Sequence, residues 1–239
     1  MIYVNNLMLY GKHGNLRLNI PNLNFHSPGI TALVGHNGAG KSSLLRIVAG
    51  LEKPSVGAIS FEEKNTFLNY EVLKNKIHLL SWGIELFRNL TAQDHLDIFK
   101  SLSTKSWDNK LEQEILNDLA IPLHKKIEKM SRGEQVRLRI LLSLPRLPRV
   151  ILIDEVTNEL DTDSRRAIFK KLDTYSFDTG AQVVVATNMV EDIERYATDI
   201  ILLQKGEVIL QSELDVIKEK HNSTFEEVIR IYERKESFV

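Results

Sequence analysis

The chain has 239 residues, 43% of them hydrophobic and 26% charged, with a formal net charge of −1, which is the composition of a folded domain with a sizeable core. This balance gives no overall electrostatic drive toward nucleic acid, and the absence of cysteine removes disulfide frameworks and thiolate metal sites. No apolar run reaches the ~18 residues of a membrane helix, and the run "RILLSLPRLPRVILI" is broken by Pro145, Pro148 and three arginines.

In chain order, "MIYVNNLMLYG" and "LRLNIPNLNF" alternate apolar with polar residues and predict strands of a half-exposed antiparallel sheet. The start lacks the basic and apolar regions of a secretory leader, so the expected location is cytoplasmic. "GITALVG" predicts a short buried strand. "KSSLLRIVAGL" predicts a helix that stops at Gly50. From Trp82 to Leu144 helical periodicity dominates, as in "TAQDHLDIFKSL" with Thr91 as its cap and in "NKLEQEILNDLA". "RVILID" and "AQVVVAT" flank the helix pattern "DSRRAIFKKLDTY", with Asp163 or Ser164 expected as its cap. That unit predicts neighbouring strands of a parallel sheet. "DIILLQKGEVIL" predicts a hairpin around Lys205 and Gly206, and the charged tail from Ser212 is helical in pattern.

"GHNGAGKS", Gly35 to Ser42, matches the phosphate-loop pattern and lies between a predicted strand and a predicted helix, as that pattern requires. Its glycines let backbone N–H groups of Gly35, His36, Asn37, Gly38, Ala39 and Gly40 converge on phosphate oxygens. The helix start at Lys41, Ser42 and Ser43 adds unpaired donors. Lys41 is expected to reach the β- and γ-phosphates and Ser42 to ligate Mg²⁺. A magnesium triphosphate also needs a carboxylate near the metal and a group to orient water. Asp154 and Glu155, adjacent at the end of "VILIDE", supply both, Asp154 toward Mg²⁺ and Glu155 as general base.

Beyond these motifs the chain resembles the ATP-binding subunits of ABC transporters. "MSRGEQVRLRI", residues 130 to 140, resembles the signature of that family and shortly precedes "VILIDE"; "LYG", the phosphate loop, "LFRNLT", "TNELD" and "QKGEVI" follow the family order over nearly the whole chain. The resemblance implies an α/β P-loop NTPase with a RecA-like core and parallel sheet, an N-terminal antiparallel β subdomain and an inserted α-helical subdomain. Core and β subdomain would take residues 1–80 and 145–211, the helical subdomain with the signature 82–144, and a helical tail 212–239.

It further implies cofactors ATP and Mg²⁺, and a second ATPase subunit, identical or related, stacked head to tail so that ATP lies between one phosphate loop and the other signature. Ser131, Gly133 and Glu134 would form that signature contact, Asp161 would cross the dimer interface, and Tyr10 would stack on adenine, with sheet packing as its alternative. The helical insertion would receive a coupling helix of a transmembrane permease subunit, bringing the chain to the cytoplasmic face of the membrane. No nucleic-acid partner is implied. The tail "STFEEVIRIY" resembles exporter ATPases.

Two positions depart from the family pattern. Asn188 in "VVVATNMVED" stands where relatives carry a histidine, and asparagine lacks the cationic and proton-transferring states of imidazole. The loop that presents a glutamine to Mg²⁺ reads "LLSWGIE", with Ser81 or Trp82 at that place. Retained hydrolysis is the expectation, since the lysine, metal and phosphate loop supply most of the stabilisation; the alternatives are slow hydrolysis by a binding or regulatory subunit, or a non-transport ABC ATPase. Arg132, in place of the first signature glycine, adds charge at the interface or points to solvent. The seven histidines lack metal-ligand spacing and are expected on the surface or in loops, and Lys125, Lys126 and Lys129 form a solvated basic face.

Overall fold

A computed structural model describes residues 1–25, 28–83, 85–103, 107–158, 160–221 and 225–235. The elements begin with β1 (Ile2–Tyr10), β2 (Leu16–Phe25), β3 (Gly29–Val34), α1 (Lys41–Val48), β4 (Val56–Phe61) and β5 (Lys64–Asn65). Next come α2 (Tyr70–Leu73), β6 (Ile77–Ser81), α3 (Ala92–Leu102), α4 (Asn109–Leu119) and α5 (Arg132–Ser143). The chain continues through β7 (Val150–Asp154), α6 (Thr162–Thr179), β8 (Gln182–Ala186) and α7 (Val190–Tyr196). It closes with β9 (Asp199–Gln204), β10 (Glu207–Glu213), α8 (Leu214–His221) and α9 (Phe225–Lys235).

The first sheet, in the order β2-β1-β4-β5, is antiparallel throughout. Ile2 and Val4 point inward, and so do Leu7 and Leu9, so the alternation changes phase between them. Asn6 at φ 47° and a register shift against β4 produce that change, a bulge that turns both Asn5 and Asn6 outward. The second sheet runs β10-β9-β3-β8-β7-β6 and is parallel except for the β9–β10 hairpin. Apolar side chains of β7 and β8 are buried on both faces, the pattern of parallel strands covered on each side. One face packs on α3, α4, α5 and α6, the other on α1 and the antiparallel sheet. The tail packs Leu214, Ile217 and Val228 against Ala32, Val34, Ile200 and Leu202 of β3 and β9.

Register decides where the chemistry is. Leu33 of β3 and Asp154 of β7 both align with Ala186 of β8, and Ser81 of β6 aligns with Asp154. The phosphate loop, Glu155, Asn188 and Trp82 therefore leave the sheet along one carboxyl edge, the usual ligand side of such sheets.

Several local expectations need correction. Asp161, not Asp163 or Ser164, caps α6, its side chain accepting from the Ser164 N–H at 2.9 Å. The stretch "LLSWGIE" is not loop throughout, because Leu79, Leu80 and Ser81 belong to β6. The strand β10 extends to Glu213, so the helical tail starts at Leu214. His78 and His95 are buried rather than superficial: His95 accepts from the Phe87 N–H and bonds to the Thr91 carbonyl, and His78 pairs with the Ser143 hydroxyl. His26 and the His221 side chain lie outside the described residues.

Candidate active site

The phosphate loop can only be built with glycine at its start. Gly35 has φ 152°, and a Cβ there would lie 2.1 Å from the Leu203 carbonyl oxygen. Gly38 and Gly40 also hold left-handed backbone, at φ 84° and 108°, and the Ala39 N–H closes a turn onto the His36 carbonyl at 3.0 Å. The Gly206 N–H donates to the Ala39 carbonyl at 3.0 Å, so the β9–β10 turn holds the loop from outside. The first N–H groups of α1 have no acceptor within the helix and face this loop with the positive end of its dipole.

Lys41 is 4% exposed, yet its ammonium is well partnered. It donates to the carbonyls of Gly35 at 2.7 Å and His36 at 3.2 Å and lies 3.0 Å from Glu155 Oε1. Ser42 Oγ donates to Asp154 Oδ1 at 2.8 Å. Burial pushes the Asp154 carboxyl above its ordinary range and the neighbouring Glu155 charge adds to this, while the Ser42 hydrogen bond, Lys41 and Arg46 oppose it. Glu155 leaves the strand in left-handed backbone, φ 55°, with its N–H donating to the Ala186 carbonyl at 3.2 Å. That conformation costs a non-glycine residue about 1–2 kcal/mol and turns the carboxylate back toward Lys41.

A cavity of about 540 Å³ opens here, lined by Asn37, Gly38, Gly40, Lys41, Ser42, Ser43 and Glu155. Gly35, His36 and Ala39 shape the loop without lining the cavity. Among the described residues no group of three or more His, Asp or Glu could hold a metal alone. The adjacent oxygens of Ser42 and Asp154 nevertheless fit Mg²⁺, which takes one or two protein oxygens and completes its shell with phosphate and water.

Three polar residues of the cavity gave no sign in the sequence of belonging to a site. Arg17 projects from β2 and donates to Ser43 Oγ at 3.0 Å, Asn15 precedes it, and Lys205 sits in the hairpin turn. Each reads as an ordinary exposed polar residue in its own segment, and only the packing of the antiparallel sheet and hairpin around the loop brings them in.

The other expected site residues lie apart from this cavity. Tyr10 ends β1 with its ring exposed; its N–H donates to Ser55 Oγ and its hydroxyl contacts Met8 Sδ, and it neither packs in the sheet core nor lines the cavity. Ser131 caps α5 in a reciprocal box with Glu134, whose carboxylate accepts from the Ser131 N–H at 2.6 Å and from Lys125 at 2.7 Å. Partial burial alone would raise the Glu134 pKa, but Lys125 and Ser131 hold it below its ordinary value. Lys125 is thus a fixed ion-pair member rather than part of a solvated basic face. Gly133 sits in the first turn of α5, beside Leu160. The Asp161 carboxylate is bonded to its own helix start, and the Ser164 contacts lower its pKa. Asn188 is exposed after β8, while the preceding Thr187 hydroxyl donates to Asn158 Oδ1 at 3.1 Å.

Arg132 does not simply point to solvent. Its guanidinium lies 5.4 Å from the Trp82 ring centre, and Arg139 lies 5.2 Å from the same ring. Trp82, which with Ser81 is one of the two residues expected at the place of a metal-directed glutamine, is bracketed by two cations of α5.

A parallel sheet with a strand, glycine loop and helix at its carboxyl edge, and a neighbouring strand that brings a carboxylate to the helix-start serine, defines a P-loop NTPase. The profile of the ABC transporter family matches residues 18–158, more than half of the sequence. The chain belongs to the ABC transporter family. The lantibiotic transport ATP-binding protein SrtF of Streptococcus pyogenes is 28% identical over 221 residues, which cover 90% of this chain and 92% of that protein. The retinal-specific phospholipid-transporting ATPase ABCA4 of Bos taurus is 30% identical over 202 residues, 82% of this chain but only 9% of that much longer protein. Among solved structures, the ATP-binding cassette MJ0796, dimeric in a post-hydrolysis state bound to ADP and Pi, superposes with a TM-score of 0.79 at 26% identity, over 90% of this chain and 99% of that one.

Proposed function

We propose that the chain is the ATP-binding and ATP-hydrolysing subunit of a multi-subunit transporter, acting in export. The observation that carries this reading is the junction of Ser42 with Asp154 and of Lys41 with Glu155 across two strands of one sheet. Loop amides and Lys41 would hold the β- and γ-phosphates, and Ser42 with Asp154 would hold Mg²⁺. The metal, when bound, would neutralise charge on the phosphate oxygens. A triphosphate competes with Glu155 for Lys41, and the released carboxylate would take a proton from the attacking water.

Ser131 and Gly133, at the start of a capped twelve-residue helix, would offer donors to the γ-phosphate held by a second subunit, and Asp161 would face that subunit. The helical segment 82–144 would dock on a membrane permease, and residues 1–80 with 145–211 would form the nucleotide-binding part. The direction of transport is supported by the ending "STFEEVIRIY", part of which lies outside the described residues. Titration calorimetry of the folded chain with Mg-ATP tests the reading: saturable heat that disappears in Lys41→Ala is expected, and no heat with the native chain would refute it.

A second reading, a subunit that binds ATP with little turnover, is favoured by Asn188 and by Ser81 or Trp82, where the family resemblance leads one to expect a histidine and a glutamine. Single-turnover hydrolysis in the presence of the membrane subunits separates the two.

A further inference from the structure

The cavity over the phosphate loop has two sides. Successive residues of a helix point about 100° apart, and at the start of α1 this sends two serine hydroxyls in different directions. Ser42 Oγ reaches Asp154 of β7, whereas Ser43 Oγ, in a side chain that is nearly buried, accepts from the Arg17 guanidinium of β2 at 3.0 Å. The backbone that carries Arg17 is fixed. A Cβ at Gly206 would lie 2.3 Å from the Arg17 carbonyl oxygen, and the Gly206 carbonyl accepts from the Asn19 N–H at 2.9 Å, so the β9–β10 turn sits directly against this stretch of β2. The next residue, Leu18, is fully buried and packs on Gly40. Lys205, in the same turn, lines the cavity beside Arg17. Among the described residues the cavity is lined by three cations, Arg17, Lys41 and Lys205, and by one carboxylate, Glu155, which is already paired with Lys41. Arg17 and Lys205 make no ion pair with a described residue, and the hydrogen bond of Arg17 goes to a neutral hydroxyl.

A triphosphate held for hydrolysis has its γ-phosphate on the side of Lys41, Glu155 and the Ser42–Asp154 junction. The phosphates that stay with the product then lie toward β2 and the hairpin turn, where a guanidinium offers strong, charge-assisted hydrogen bonds to phosphate oxygens. We propose that Arg17, assisted by Lys205, grips the α-phosphate, a group that substrate and product share. The proposal rests on the reading of the site as an ATPase site. A contact that is the same before and after the γ-phosphate leaves favours the bound nucleotide without favouring the transition state. Arg17 is thus a binding residue whose effect is to retain ADP as firmly as it retains ATP.

The test is titration calorimetry of the full chain with Mg-ATP, Mg-ADP and Mg-tripolyphosphate, the last a chain of three phosphates without a nucleoside. Arg17→Met is expected to weaken all three by about tenfold and to leave the ratio of ATP to ADP affinity as it is in the native chain. Arg17→Lys, which keeps the charge and loses the fork of donors, should recover part of the loss. Lys205→Met should show a smaller loss of the same kind, while Arg166→Met, an exposed site on α6, keeps the native affinities. Thermal unfolding without nucleotide checks each variant, and Lys205→Met decides the matter if Arg17→Met fails to fold. Unchanged affinities in Arg17→Met overturn the proposal. So does a loss for ATP alone, which would place Arg17 on the γ-phosphate, and so does a loss for both nucleotides but not for tripolyphosphate, which would make it a reader of the nucleoside. A native chain that binds neither nucleotide refutes the ATPase reading and this proposal with it, whereas native binding that is indifferent to Arg17 refutes this proposal alone.

Discussion

Replacing Glu155 with glutamine keeps the shape of the side chain and removes both its charge and its basicity. In the structure this carboxylate has two connections, a strained backbone at φ 55° that aims it inward and an ion pair with Lys41 at 3.0 Å. As general base it would contribute about 10²–10⁴ in rate, so Glu155→Gln should raise the hydrolysis barrier by about 3–5 kcal/mol. Its effect on binding has the opposite sign. The pair with Lys41 is 39% exposed on the Glu155 side, so solvent screening limits its strength to about 0.2–1 kcal/mol. Releasing Lys41 for the phosphates should therefore tighten ATP binding by up to about fivefold. Phosphate release under saturating Mg-ATP measures the first effect and calorimetry the second. A variant that turns over within about threefold of the native chain, or binds ATP more weakly, would refute the role given to this carboxylate.

Three further outcomes follow from features away from the phosphate loop. His78 is held neutral, its pKa lowered to about 3 by burial and secondarily by the Arg146 charge. The unfolded chain takes up that proton near pH 6.5, so stability present above this pH is lost as pH falls. Urea unfolding should show the native chain losing about 2 kcal/mol more than His78→Asn between pH 7 and 5, and equal losses would refute the assignment. Arg165 and Asp192 form a buried pair at 2.7 Å, each 6% exposed at its side chain. Arg165→Met should cost about 3–5 kcal/mol by stranding Asp192, and Arg165→Met with Asp192→Leu should recover most of it; denaturant melts in which the single change costs under about 1 kcal/mol contradict this. Gly57 sits opposite the β1 bulge at φ 81°, where a Cβ would lie 2.2 Å from the Asn6 carbonyl oxygen. Gly57→Ala should lose about 2 kcal/mol or more in the same melts, and an unchanged midpoint would contradict the geometry.

What the sequence made legible was what is contiguous. The loop from Gly35 to Ser42 and the pair Asp154–Glu155 are short strings whose spacing carries their chemistry, and the parallel register brings them together. The strands of the sheet core were readable from β-branched runs such as "QVVVA". Less readable was β6, whose "IHLLS" contains a histidine that reads as polar and is buried against the Ser143 hydroxyl. His95 escaped in the same way, because its two ring nitrogens are satisfied within its own loop and helix. Asp161, Asp163 and Ser164 compete in sequence as the cap of α6, and only backbone geometry selects Asp161 among them. Arg17, Lys205 and the bracket of Arg132 and Arg139 on Trp82 depend on side chains far apart in sequence, where no single-chain period operates.

The turn at Gly206 has a consequence for how the protein comes into being. Its N–H holds Ala39 and its carbonyl accepts from Asn19, while both neighbours of β3, β8 and β9, are translated some 150 residues after it. The phosphate-loop sequence is thus translated well before the strands and the turn that complete its cradle. A nascent chain halted before the β9–β10 hairpin would carry the whole phosphate-loop and carboxylate sequence and still lack the strand and the turn that brace them, leaving ATP affinity a property acquired only once that hairpin is made.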